Sequence, residues 1–113
     1  MKTAFITGAS SGIGAACARK FAANGYRLIL NARNEEKLKR VAESLKKEFG
    51  TETHLLIFDV REREIARQAI ANLPQEWQDI DVLVNNAGLA LGLEKEYGLK
   101  NVIKTDDMVL QNS

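Results

Sequence analysis

The sequence predicts an α/β fold, a doubly wound parallel sheet with strand order 3-2-1-4. Three observations predict it. Short apolar runs alternate with stretches of helical periodicity along the chain. A glycine-rich string, Thr7 to Gly14, stands between the first apolar run and the first helical stretch. The helical stretches end on stop signals: Asn24-Gly25, Gly50 and Pro74.

The elements follow in order. Lys2 to Thr7 reads as a buried strand bounded by glycines. Gly12 to Asn24 reads as a helix with Ile13, Ala16, Cys17 and Phe21 on its inner face. Tyr26 to Asn31 is a second strand. Asn34 caps the next helix, and Glu35 and Glu36 suit its positive end. Leu38, Val41, Ala42, Leu45 and Phe49 form an amphipathic stripe along it. His54 to Asp59 is a third strand, and Glu62 to Leu73 a third helix with Ile65, Ala66, Ala69, Ile70 and Leu73 inward. Trp77 packs the loop before a fourth strand, Asp81 to Asn85. From Gly88 to about Lys104 the pattern weakens into a loop, and Thr105 to Ser113 reads as the first turns of a helix.

Right-handed crossovers place the first two helices on one face and the third on the other, because the strand order reverses at strand 1. The second face then has one full helix to cover four strands. Apolar side chains of strands 1 and 4 are expected to stay partly bare, with strand 4 an open edge. The chain thus reads as a single domain over residues 1–113, truncated after strand 4: the first half of a larger fold, or one that needs a partner.

Composition narrows the function. Apolar residues are 45% of the chain, enough for a core, and charged residues are 27%. A net charge of +1 gives no global attraction to nucleic acid or to an anionic membrane. No apolar run reaches the ~20 residues of a membrane span. The N-terminus runs directly into the glycine string with no room for a leader peptide, so the expected compartment is the cytoplasm. Cys17 is the single cysteine, which excludes an intramolecular disulfide framework. It reads as a small core hydrophobe. His54, the only histidine, stands in no ligand pattern, and no metal-binding cluster appears. The lysines from Lys37 to Lys47 alternate with glutamates and read as a solvated helix face.

Gly8, Gly12 and Gly14 carry the chemistry. Glycine permits the tight turn and removes the Cβ that would block a close backbone approach. A helix opening near Gly12 offers N–H groups and a positive dipole end to an anion. Ser10 and Ser11 add hydroxyl donors. The string is a pyrophosphate cradle by this reading. Its spacing differs from G-x-G-x-x-G and lacks the Gly-Lys-Ser/Thr ending of a P-loop.

The motif Thr7-Gly8-Ala9-Ser10-Ser11-Gly12-Ile13-Gly14 resembles that of the short-chain dehydrogenase/reductase family. Asp59-Val60, at the end of strand 3, stands where the family places an acidic residue on the adenine edge. Asn85-Asn86-Ala87-Gly88 matches the family's Asn-Asn-Ala-Gly motif. There the first Asn ties the sheet together, and Asn86, Ala87 and Gly88 line the cofactor. The resemblance implies a Rossmann-like fold and a nicotinamide cofactor bound by Gly8, Ser10, Ser11, Gly12, Ile13, Gly14, Arg33, Asp59 and Val60. It covers residues 2–88 closely. Ala32 occupies the position where an NAD-preferring site keeps a carboxylate, and Arg33 follows it, suited to a 2′-phosphate. The expected cofactor is therefore NADP, with NAD the lesser alternative.

The resemblance also implies hydride transfer between nicotinamide and a carbonyl or alcohol, with a Tyr-x-x-x-Lys pair, a Ser and an Asn at work. Tyr26 is followed four residues on by Leu30, and Tyr97 by Asn101, so neither makes that pair. No serine lies where the catalytic one would, because strand 5 is absent by this reading. Only the Asn has a candidate, Asn112, in a segment similar to the helix that carries it. Gly88 to Glu94 and Trp77 to Val82 are similar to short-chain enzymes acting on 3-hydroxy acids. The expected partners are a small-molecule substrate in a full-length relative, and a homo-oligomer or a missing C-terminal half. The alternative is a non-catalytic nucleotide-binding or interaction module completed by another chain.

Overall fold

The computed structural model describes residues 1–86 in full and residues 102–104 as a strand. The chain runs β1 (Thr3–Ile6), α1 (Gly12–Ala23), β2 (Arg27–Ala32), α2 (Glu35–Phe49), β3 (Thr53–Ile57) and α3 (Arg63–Ala71). A 3₁₀ turn over Gln75–Trp77 leads to β4 (Val82–Asn85), and β5 covers Val102–Lys104. The strands pair in parallel in the order β3-β2-β1-β4-β5. The 3-2-1-4 order expected from the crossovers is therefore observed, with one strand added.

That added strand corrects two expectations. Residues 102–104 are not loop: they pair with Leu83, Val84 and Asn85. Strand β4 is consequently an inner strand and not an open edge. Nor are β1 and β4 bare. Phe5, Ile29 and Leu83 pack with Ile70, Leu73 and Trp77 on one face. The large indole and the residues after α3 extend the cover that one helix alone would leave short. On the other face Ala4, Ile6, Leu28, Leu30, Val82 and Val84 pack against Cys17, Ala18 and Ala22 of α1 and Leu38, Ala42 and Leu45 of α2. The proposed helix over residues 105–113 lies outside the described residues.

Helix α2 forms as its pattern dictates. The Asn34 side chain accepts a hydrogen bond from the Lys37 backbone N–H, Glu35 and Glu36 occupy the first turn, and Lys46 and Lys47 the last. Gly50 ends it in the left-handed region at φ 68°, where other residues are strained. Leu38 and Leu45 are fully buried, each contributing about 1.5–3 kcal/mol relative to exposure.

Helix α1 departs from its expected face. Its buried residues are Gly14, Cys17, Ala18 and Ala22, whereas Ile13 is 51% exposed and Ala16 is exposed too. Ile65, expected inward on α3, is 47% exposed; Ala66 and Ile70 carry that face. Phe49 likewise lies at the surface, under the Arg19 guanidinium at 5.6 Å. No helix among the described residues is long and apolar enough to cross a membrane.

The N-terminal ends of the strands are fastened by polar contacts. Arg27 Nε donates to Thr3 Oγ1 at 2.7 Å, and its guanidinium lies 4.3 Å over the Trp77 ring. Thr3 N donates to Asp81 Oδ2 at 2.8 Å. The His54 ring stands 5.5 Å from Trp77. This end of the sheet is structural. The candidate site lies at the opposite end, where the strands finish.

Candidate functional site

At the carboxyl end of β1 the chain turns sharply through Gly8, which has φ 60°. Thr7 N donates to the Val84 carbonyl at 3.0 Å, and Ala9 N to the Asn31 carbonyl at 2.8 Å. The turn is thus anchored to both neighbouring strands. Ser11 is the N-cap of α1, yet its side chain does not cap the helix. Its hydroxyl donates instead to the Gly8 carbonyl at 2.9 Å. The first turn of α1 holds no acidic residue. Helix α2 has both a side-chain cap and two glutamates at the same place. The first turn of α1, with its N–H groups and positive dipole end, therefore meets neither a side-chain cap nor a carboxylate of its own helix.

The glycines divide the work. A Cβ on Gly14 would stand 2.0 Å from the Gly8 carbonyl oxygen and 2.7 Å from Asn86 Nδ2. Gly14 is required for helix and turn to approach. A Cβ on Gly12 would meet nothing within 4 Å. Packing leaves Gly12 unconstrained, with open space in front of it. Asn86 Nδ2 donates to the Gly8 carbonyl at 3.1 Å and lies 3.2 Å from Ser11 Oγ. The end of β4 thereby braces the cradle from behind. Thr7 Oγ1 reaches Asn85 Oδ1 at 3.4 Å, a further tie between β1 and β4.

Beside the cradle lies a cleft of about 740 Å³ across the ends of β1, β2 and β3. Gly8, Ser10, Ser11, Arg33, Asp59 and Val60 line it. So do Asn31, Lys37 and Arg61. Asn31 is buried, and its amide donates to the carbonyls of Leu56 at 3.1 Å and Phe58 at 3.0 Å. Those bonds fix the path of the chain that delivers Asp59. Both Asp59 oxygens accept from Arg61: Nη2 lies 2.6 Å from Oδ2, and Nε 3.1 Å from Oδ1. Arg33 stands farther off, 3.9 Å from Oδ2, with its side chain 71% exposed. The Arg61 hydrogen bonds hold the Asp59 carboxyl well below the usual range, at about 2. Asp59 is an anion at any physiological pH.

The structure thus brings together Gly8, Ser10, Ser11, Arg33, Asp59 and Val60 in one cleft. Gly12, Ile13 and Gly14 form the adjoining first turn of α1. Asn86 stands behind the turn, with its amide on the cradle's own atoms. Ala87, Gly88 and Asn112 lie outside the described residues. Sequence reasoning missed three residues. Asn31 is a polar residue in an apolar run, which in a buried strand signals a required hydrogen bond. Arg61 follows Asp59 by two positions, close enough to pair. Lys37 does not belong only to a solvated face: it is exposed, but it borders the cleft.

A sequence profile of the short chain dehydrogenase family matches residues 2–111. The chain belongs to the short-chain dehydrogenase family. Among similar members, an "NADP-dependent 3-hydroxy acid dehydrogenase YdfG" of Salmonella typhi is 47% identical over 89 residues, 79% of this chain and 34% of the relative. A "Serine 3-dehydrogenase" of Rhizobium radiobacter is 46% identical over 90 residues, 80% of this chain and 34% of the relative. The chain thus spans about a third of the length of these relatives. Among solved structures, L-sorbose reductase from Gluconobacter frateurii complexed with NADPH and L-sorbose superposes with TM-score 0.70 at 39% identity, covering 75% of this chain and 32% of that one. An alcohol dehydrogenase from Thermococcus sibiricus complexed with 5-hydroxy-NADP gives TM-score 0.69 at 40% identity, covering 74% and 36%. The Rossmann-like architecture of the described sheet is the one these dehydrogenases share.

Proposed function

We propose that this chain is the NADP-binding portion of a short-chain oxidoreductase that moves hydride between nicotinamide and a carbonyl or alcohol, 3-hydroxy acids being the substrate class. The observation that carries the reading is the opening of α1, bare of cap and carboxylate, beside a cleft rich in cations. The relatives named as NADP-dependent and complexed with NADP(H) support the same cofactor. Bound here, the nicotinamide dinucleotide would supply the hydride donor or acceptor. The chain's own residues do the rest of the binding. N–H groups at the first turn of α1 hold the pyrophosphate, with Ser10 beside them and Ser11 bracing the turn. Arg33 meets the 2′-phosphate and Asp59 the adenine edge. By the family resemblance, Asn86, Ala87 and Gly88 would serve the middle of the dinucleotide, and Asn112 the proton relay. A C-terminal half or a second copy completes the substrate side.

The test is titration with NADPH and NADH, read by thermal shift and by the amide signals of residues 8–14. Tighter binding of NADPH with movement of those amides is the expected result. Unmoved amides at saturating dinucleotide in a folded sample would refute the reading.

A further inference from the structure

Asn31 lines the cleft while only 1% of its surface is exposed. Its carboxamide nitrogen carries two hydrogens, and the carbonyls of Leu56 and Phe58 accept them. Two acceptors on the nitrogen side fix which way the amide points. Among the described residues nothing donates to the carboxamide oxygen. Yet no side-chain oxygen or nitrogen among those residues is both shut away from the surface and unpartnered. The sliver of Asn31 that stays accessible therefore includes Oδ1, and the opening it meets is the cleft. The neighbouring acceptor is already taken. Asp59 Oδ1 accepts from the Arg61 backbone N–H at 2.9 Å and from Nε at 3.1 Å. Asp59 Oδ2 accepts from Nη2 at 2.6 Å and from Nε at 3.0 Å. A carboxylate offers about four lone-pair sites, and Arg61 alone fills them.

We infer that Asn31 Oδ1 is the acceptor that selects the base, taking the exocyclic amino group of adenine and rejecting a 6-oxo purine, while Asp59, clamped by Arg61, borders the base without reading that group. The inference rests on the NADP reading above and names which residue chooses the purine. A nearly buried acceptor whose orientation is fixed by two bonds favours a donor opposite it. The carbonyl of hypoxanthine or guanine would set two acceptors against each other and leave both unmet. The two ends of one side chain thus divide the task. The nitrogen holds the chain that leads to Asp59, through the Phe58 carbonyl, and the oxygen faces the ligand.

Titration calorimetry with NADPH and with its hypoxanthine analogue tests this without turnover. The two probes differ in the base alone, amino against oxo at position 6. Wild type is expected to bind NADPH about ten- to a hundredfold more tightly, as for one hydrogen bond exchanged for an unmet buried acceptor. Asn31→Ala should bring the two probes within about threefold of each other, whatever it does to both affinities. An Asn31 that only supports the turn would weaken both probes alike and leave the ratio standing, which would overturn the inference. Asp59→Asn should keep the wild-type ratio. A ratio lost there would assign the choice of base to Asp59 and overturn the inference, and this variant decides the matter even if Asn31→Ala does not fold. Equal binding of the two probes by wild type would overturn the role of Asn31 and leave the NADP reading intact. Binding of neither would overturn the NADP reading itself.

Discussion

Gly12 and Gly14 are the same residue two positions apart, and the structure asks opposite things of them. At Gly14 a methyl would press on the Gly8 carbonyl, part of the backbone, so something must shift. Gly14→Ala should cost about 1–3 kcal/mol of stability, the usual cost of overpacking. Gly12→Ala should melt near the wild-type temperature, since nothing lies within 4 Å of its Cβ, yet bind dinucleotide at least about tenfold more weakly. Thermal melts and a NADPH titration of both variants check the contrast. Equal loss of stability in the two would show that Gly12 serves packing. Asp59 gives a pH signature. Its folded-state pKa is depressed to about 2 by the Arg61 hydrogen bonds. The stabilisation that follows is present above the ordinary carboxylate value of about 4 and is lost as pH falls toward about 2. The stability difference between wild type and Asp59→Asn should therefore be level above that window and shrink within it, measured by urea unfolding at a series of pH values. A difference unchanged through the window would show that the Arg61 clamp does not persist in solution.

Strand β2 and the chain after β3 are joined by one side chain, and this sets an expectation for the element. Replacing Asn31 with Leu removes the donor to the Leu56 and Phe58 carbonyls. The cost should be about 1–3 kcal/mol, the penalty of leaving buried polar groups unmet, and the Asp59–Arg61 turn should loosen. Chemical denaturation and amide exchange at residues 58–61 check it. Exchange there unaltered would show that the turn is held by other contacts. Legibility differed between elements for physical reasons. Helix α2 was plain because Leu38, Ala42 and Leu45 repeat at helical spacing, and Asn34 and Gly50 mark its ends. Helix α1 was misjudged in its face because its buried residues are small. Cys17, Ala18 and Ala22 let it lie close to the sheet, and bulky Ile13 sits outside at its mouth. Strand β5 was missed because three residues carry no period, and its pairing partner lies in β4, far back in the sequence. In the site, the glycines, Arg33 and Asp59 were readable as a motif. Arg61, Lys37 and Asn31 act through partners brought together only by the fold.

The whole molecule separates its labour between the two ends of one sheet. Arg27, Thr3, Asp81 and Trp77 tie the strand beginnings together. The strand endings hold the cradle and the cleft. The net charge of +1 hid this division. Composition reports the sum, and the functional asymmetry lies in where Arg33, Lys37 and Arg61 gather. Trp77 belongs to the structural end, so its emission should follow global unfolding and respond little to dinucleotide. The single thiol sits differently. Cys17 lies buried under the helix whose first turn forms the cradle, and burial pushes its pKa up. A thiol reagent can reach it only when that helix lifts from the sheet. The protein thus carries one built-in stopwatch for openings of α1, and any anion that grips the helix mouth should slow its hand.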